Sequence, residues 1–391
     1  MAKLRRAITI ALLAVSSPWL YDRYLALSGI LAQRPGKLVE VNSFNSLEVK
    51  FQDKVRNCED MILVEEKGVA LLSCDPGRDK WNTVMGTFTD DNRTGESSGI
   101  WIYDYSSTDT LTRLDISSWA SHLDFHPLGL ELDASTSTLY IVNHARSGSA
   151  IEIFTVDWDT SAATHVKTFK HSLLHAPNAL EILGEGTGKL YVSNDHAIVA
   201  AVSPLLSQIE TFSGAPGGSV VYIDINAPET AQVVARVPFA NGVKILNSTH
   251  LAVASSAKAG VYFYKINPDY TLTFTNLVRT PSTADNLSVD SNGKLLIAGH
   301  PFAPALMEVA KGRAGCDPNG TVEEKKACGC EAPSWVGEWS EDEGLKTLLM
   351  SKGQDEEGNG ICASSTAVRD VQRGIGFVSM LYGRGIGVFK V

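Results

Sequence analysis

Lys and Arg do not gather into runs in this 391-residue chain, and the net charge is −10 at neutral pH. That excludes nucleic acid as an expected partner and leaves room for a bound cation. No apolar stretch has the length of a full membrane span; the longest runs from Ala7 to about Leu20. Long amphipathic helical patterns are scarce, and "AVSPLLSQIETF" (201–212) is the best of them. No histidine accompanies the cysteines at metal-site spacing, which argues against a standard zinc site. The serine of "TPST" lacks a Gly-x-Ser-x-Gly frame and is not read as a nucleophile.

What the chain has begins with Lys3, Arg5 and Arg6 ahead of the apolar run. This is the layout of a secretory signal, so residues 1–25 are expected to be a signal peptide or an uncleaved signal anchor, a membrane tether. The body is then exported, secreted or membrane-anchored, and six cysteines suit an oxidising compartment. Cys58 and Cys74 flank one hairpin-like unit and are expected to pair, and Cys316 is expected to pair with Cys328 or Cys330. Asn92, Asn247 and Asn319 open Asn-x-Thr sequons and are expected to carry glycans on surface loops.

A repeated unit dominates the rest. "CEDMILVEEKGVALLSCDP", "HPLGLELDASTSTLYIVNH", "APNALEILGEGTGKLYVSNDH", "FANGVKILNSTHLAVASS", "TPSTADNLSVDSNGKLLIAGHP" and "STAVRDVQRGIGFVSMLYG" follow one plan. Each has a small or polar step, a short strand, a turn and a second apolar strand. They recur every 45 to 80 residues, roughly the span of a four-stranded sheet plus loops. Alternating segments such as "SGIWIYDY" and "GVYFYKINPDYTLTF" fill the intervals as further strands. The expected fold is all-β: one six-bladed β-propeller over 37–391, with residues 37–57 closing the ring against the C-terminal "GIGVFKV". Residues 313–355, rich in Gly, Cys and acids, are expected to be an inserted loop.

In a propeller the loop entering each innermost strand points to the central tunnel. Aligned, the six steps hold Glu59-Asp60, Leu128, Asn178, Asn241, Asp285-Asn286 and Thr366. Singly, Asn and Asp are ordinary turn residues. At equivalent points of a circular repeat they form a set of hard oxygens, which is what calcium takes. Glu59, Asn178, Asn241, Asp285 and Asn286 are the expected ligands of a central calcium site, with room left for water or substrate. Asn286-Leu-Ser is a formal sequon, and a place in the tunnel requires that it carry no glycan.

These motifs together resemble the paraoxonase/arylesterase family, calcium-dependent six-bladed propellers that hydrolyse lactones and esters. "CEDM", "VNH", "APNAL", "SNDH", "FANGV" and "TADNLSVD" carry the resemblance, in order, from about residue 40 onward. It implies the same five calcium ligands and a small lactone or ester as substrate. It also implies a second, structural calcium at Asp60 with the backbone of Leu130, but the acid expected after Asn178 is Ala179. Of the family's catalytic histidine pair, one falls on His144 and the other on Leu128, which cannot take a proton. His126, His196 and His300 are then expected near the pocket. His144, Glu59 or a metal-bound water are the bases to consider, in that order. A sugar-lactone hydrolase of the gluconolactonase type and a non-catalytic calcium-bearing module are the competing readings.

Overall fold

The structure, a computed structural model, describes residues 2–89, 98–355 and 358–391, with side chains described from residue 16 onward. Six antiparallel sheets stand around one axis. Their innermost strands are Cys58–Val64, Pro127–Asp133, Pro177–Ile182, Ala240–Asn247, Thr283–Val289 and Ser364–Asp370. Each begins one of the six repeated sequence units, so the chain is the expected six-bladed β-propeller.

Burial explains why second strands read as unbroken apolar runs. Thr138–Asn143 and Lys189–Asn194 are buried at nearly every position because a neighbouring blade covers each face. Outer strands such as Leu272–Arg279 are largely exposed and more polar. The core is correspondingly a ring of seams. In one seam Leu71 and Ile100 of the first blade meet Leu130, Ile141 and Phe154 of the second.

Ring closure follows the expectation. Ser46–Lys50 pairs antiparallel with Ile386–Lys390, from Ser46 opposite Lys390 to Lys50 opposite Ile386. The outermost strand of the sixth blade therefore comes from the beginning of the propeller sequence. Val41–Asn42 adds a fifth strand to the fifth blade through Met350 and Leu349.

The expected insertion at 313–355 is corrected. Ser334–Ser340 and Gly344–Ser351 are the third and fourth strands of the fifth blade, pairing with each other and with Leu295–His300. Trp335, Val336, Leu349 and Met350 are buried there; Glu341, Asp342 and Glu343 form the turn between the strands, and much of the remaining Gly and acid content lies before Ser334. The inserted part is shorter and precedes them.

Among the described residues four α-helices sit on one end of the propeller or next to it: α1 (Ala2–Ala32), α2 (Pro204–Ser213), α3 (Ala303–Arg313) and α4 (Val322–Ala327). α2 lies where the sequence placed a helix, started by Ser203 and Pro204 and ended by Gly214 at φ 66°. α1 is longer than a segment ending at residue 25. Trp19 Nε1 donates to the Ser213 carbonyl at 2.8 Å, and Arg23 donates to the Ala257 carbonyl at 2.8 Å. Asp22 is held by Arg23, Lys258 and Arg279. Among the described residues no helix is long and apolar enough to cross a membrane.

Three disulfides join Cys58 to Cys74, Cys316 to Cys328 and Cys330 to Cys362. Asn247 and Asn319 are exposed, while Asn286 is buried. Asn92 lies outside the described residues.

Candidate metal centre and substrate cavity

In every blade the pairing of the first two strands breaks at the same point. The residues skipped there are Glu59, followed by Asp60 opposite Ser73, and in the other blades Leu128-Gly129, Asn178-Ala179, Asn241-Gly242, Asp285-Asn286 and Ser365-Thr366. Such a bulge leaves an extra residue out of the ladder and re-aims its side chain. These are the six steps picked out in the sequence, so the recurring polar step has a backbone cause. Serines opposite three of the bulges take up displaced amides: Ser73 accepts from Asp60 N, Ser193 from Ala179 N and Ser379 from Thr366 N, each at 3.0–3.1 Å. Inner strands also approach closely here. A Cβ on Gly242 would lie 2.7 Å from the Asn286 Cα.

All five expected ligands are buried. Among the described residues six buried side-chain oxygens lack a hydrogen-bond partner, and four of them are Glu59 Oε2, Asn178 Oδ1, Asn241 Oδ1 and Asn286 Oδ1. A buried acceptor left alone costs about 1–3 kcal/mol, so four in one place call for a cation. Their other atoms are already engaged. Asn286 Nδ2 donates to Glu59 Oε1 at 2.8 Å; Asn241 Nδ2 donates to Ser256 Oγ at 3.2 Å, which in turn donates to the Ala284 carbonyl. Both amides are thereby turned with oxygen outward from their donors. Burial, then Asp60 and Asp285, push Glu59 well above the usual carboxylate range, a strain that a positive ion relieves. Among the described residues no cluster of three His, Cys, Asp or Glu has metal-binding geometry; here three of five donors are asparagine amides. The set suits calcium, which accepts neutral carbonyl oxygens, better than zinc.

Above these oxygens lies a cavity of about 600 Å³. Glu59, Asn178, Asn241 and Asp285 reach it, with His196 and His300 beside them. Its walls are mostly apolar: Leu128 and Phe239 from the blades, Phe212 of α2, Leu306 of α3 and Leu27 and Ile30 of α1. The residues Val84 to Thr89 complete the rim. α1 was expected only as a targeting segment, so its part in the cavity wall is a finding of the structure.

The histidines separate. His300 Nε2 lies 2.8 Å from Asp285 Oδ2, and its Nδ1 is buried without a partner. His196 Nδ1 lies 2.9 Å from Asp195 Oδ1 and Nε2 2.6 Å from Thr211 Oγ1 of α2. Burial acts against its charged form, but Asp195 overrides this and holds its pKa above the usual histidine value.

His144 and His126 do not line the cavity. His144 is buried, donates from Nε2 to the Pro177 carbonyl at 2.6 Å, and accepts at Nδ1 from the Thr83 hydroxyl. Burial lowers its pKa, so it stands neutral. His126 precedes the bulge; its Nδ1 turns 3.1 Å from Asp75 Oδ2, in a separate surface pocket with Lys80, Arg113 and Arg146. Leu128 takes the bulge position that faces the cavity, which corrects the placement of His126 there.

The second calcium set does not assemble. Asp60 already accepts from Met61 N and Thr366 Oγ1 at 2.8 Å and from Leu130 N at 3.0 Å. Ala179 brings no oxygen from its side chain. Sequence reasoning passed over Thr83, over Arg78, whose buried guanidinium donates to the Pro127 carbonyl at 3.0 Å, and over Lys244. Lys244 had a readable signal. It stands three residues after Asn241, as Glu131 does after Leu128 and Glu181 after Asn178.

The arylesterase family model matches residues 84–313. Serum paraoxonase/arylesterase 1 of Mus musculus is 32% identical over 194 residues, 48% of this chain and 51% of that protein. Serum paraoxonase/arylesterase 2 of Canis lupus familiaris is 30% identical over 199 residues, 49% of this chain and 54% of that protein. The chain thus spans about half the length of these relatives. Among solved structures, a gluconolactonase of Xanthomonas campestris aligns with TM-score 0.50 at 14% identity, covering 92% of this chain and 91% of that one. A luciferin-regenerating enzyme aligns with TM-score 0.51 at 12% identity, over 88% and 95% of the two chains. These two likenesses speak for the fold alone. With the family model spanning more than half its length, the chain belongs to the paraoxonase/arylesterase family.

Proposed function

We propose that this protein is a calcium-dependent hydrolase of lactones and of aryl and alkyl esters, in which water attacks the carbonyl. The observation that carries the reading is the group of four unpartnered buried oxygens, three of them on residues that line an apolar cavity. Calcium bound by Glu59, Asn178, Asn241, Asp285 and Asn286 would polarise the carbonyl and stabilise the oxyanion. The apolar walls exclude bulk water and hold the alkyl or aryl part of the substrate. His196 and His300 are the polar groups at the sides.

Leu128 offers no proton acceptor, so the base is His144. Its Nε2–H is committed to Pro177, which fixes the neutral tautomer and leaves Nδ1 as the acceptor. The Thr83 hydroxyl, next to the cavity rim, hands a proton to Nδ1 and takes one from the attacking water. Glu59 is the poorer base, because its anion is the one the cation favours.

Export is part of the proposal, supported by three disulfides and the basic-then-apolar N-terminus. A membrane tether through α1 and glycans at Asn247 and Asn319 belong with it; the body between them is a single propeller. The apolar walls favour aliphatic and aromatic lactones over sugar lactones. One observation favours a second reading, a calcium-bearing binding module: His144 does not line the cavity, and its Nε2–H is spent on the Pro177 carbonyl.

Hydrolysis of aliphatic lactones, sugar lactones and phenyl esters, with and without chelator, separates these readings. The enzyme reading expects turnover that chelation abolishes and that Asn241→Ala and His144→Gln reduce. Calcium binding with no turnover on any substrate supports the module instead.

A further inference from the structure

At the end of the tunnel away from the substrate cavity, a small cavity of about 130 Å³ is lined by Asp60, Leu130, Glu131, Ala179, Lys244 and Asn286, among others. Lys244 Nζ lies 2.8 Å from Glu131 Oε2 and 2.7 Å from Glu181 Oε2. Glu181 also accepts from Ile245 N at 3.1 Å. The three side chains come from the innermost strands of the second, third and fourth blades, at the same place after each bulge. One ammonium therefore ties three blades at the axis, where the resemblance led one to expect a second metal. The oxygens of Asp60 face three protein donors, and the third blade has Ala179 where an acid was expected.

We infer that the Lys244 ammonium, supplied by the chain itself, takes the place of a second tunnel cation. The protein then holds one exchangeable calcium ion, and its lower tunnel is cation-independent. The inference rests on the upper oxygen set being a calcium site only for the count, not for the role of Lys244. Burial works against the ammonium, and the two glutamates more than offset it, so Lys244 titrates above the usual lysine value and stays charged. The one ammonium offsets only one of the two carboxylate charges; burial pushes the Glu181 carboxyl up to about 8, which reduces the charge left over.

The test counts calcium ions by calorimetric titration of metal-stripped protein and follows Tm in the same samples. Wild type is expected to bind one ion per chain. Lys244→Ala uncovers Glu131 and Glu181 and is expected to bind one more, with a Tm that is low without calcium and recovers with it. Glu131→Gln/Glu181→Gln/Lys244→Met, without the acids, is expected to remain at the wild-type number. Two ions on wild type, or no added ion on Lys244→Ala, overturns the inference. If Lys244→Ala folds only with calcium and then carries the extra ion, the inference stands. Failure to fold even in excess calcium overturns it. No ion on wild type with one on Lys244→Ala would instead remove the upper calcium site and leave the role of Lys244 intact.

Discussion

Asn241 cannot turn its amide without losing Ser256, and this makes a residue outside the oxygen set decisive for it. Ser256 receives Asn241 Nδ2 and passes its own hydroxyl proton to the Ala284 carbonyl. Removing such an outer partner weakens metal binding by about 10- to 100-fold. Ser256→Ala is therefore expected to weaken calcium binding by that factor in a calorimetric titration while Tm in saturating calcium moves little. At the base, His144→Gln is expected to lower kcat by about 10²-fold or more, as for loss of a general base. Thr83→Val is expected to lower it in parallel, with the double variant no worse than the worse single one. An additive double variant would sink the relay. The buried oxygen set was readable from residue types at recurrent steps. The engagement of His144 was not, because Thr83 and Pro177 come from other units and nothing in their local sequence announces the contact.

Among the elements, the bulges and α1 make separate predictions. Gly242 sits where a Cβ would be 2.7 Å from both the Asn286 Cα and the Leu287 amide nitrogen. Backbone cannot yield there as a flexible side chain would, so Gly242→Ala is expected to cost about 1–3 kcal/mol in denaturant unfolding and to weaken calcium binding with it. Full stability and affinity in that variant would contradict the close approach of the inner strands. For α1, burial raises the Asp22 pKa, but hydrogen bonds from Lys258, Arg23 and Arg279 outweigh it and bring it down to about 2 from 3.8. A carboxyl depressed in the folded state stabilises above its unfolded pKa and loses that contribution as pH falls through the folded one. Docking of α1 is thus expected to be flat above about pH 4 and to weaken between 4 and 2, read from Trp19 emission against a Trp19→Phe background. An unchanged signal over that interval would remove Asp22 as the clamp. The sequence revealed α2 through its amphipathic pattern. It showed α1 only as a basic and apolar leader, since the cations that hold it lie more than two hundred residues away.

Over the whole molecule, the ring closes through a strand from the start of the propeller lying beside the last one. Deleting residues 46–50 is expected to expose the edge of Ile386–Lys390 and to replace one unfolding transition by a broader, earlier one in calorimetry. A single transition at wild-type Tm would mean that closure contributes nothing. The ring and its six units were legible because every blade repeats one bulge, one turn and one buried second strand. The fifth blade was misjudged because its outer strands follow a Cys- and acid-rich segment that breaks the rhythm of the other five. The lower tunnel was missed for a different reason. Lys244 reads as an ordinary strand residue until Glu131 and Glu181, two and one blades back, are placed against it. Across the fold, the central claim is that catalysis depends on the ion held by the five oxygen donors. The measurement that tests it most directly is lactone hydrolysis followed as calcium is titrated into metal-stripped protein, with bound calcium counted in the same samples. Turnover is predicted to rise from background in proportion to the calcium bound at that site, and Asn241→Ala to shift both curves together. Full turnover in chelated protein that is still folded would contradict it.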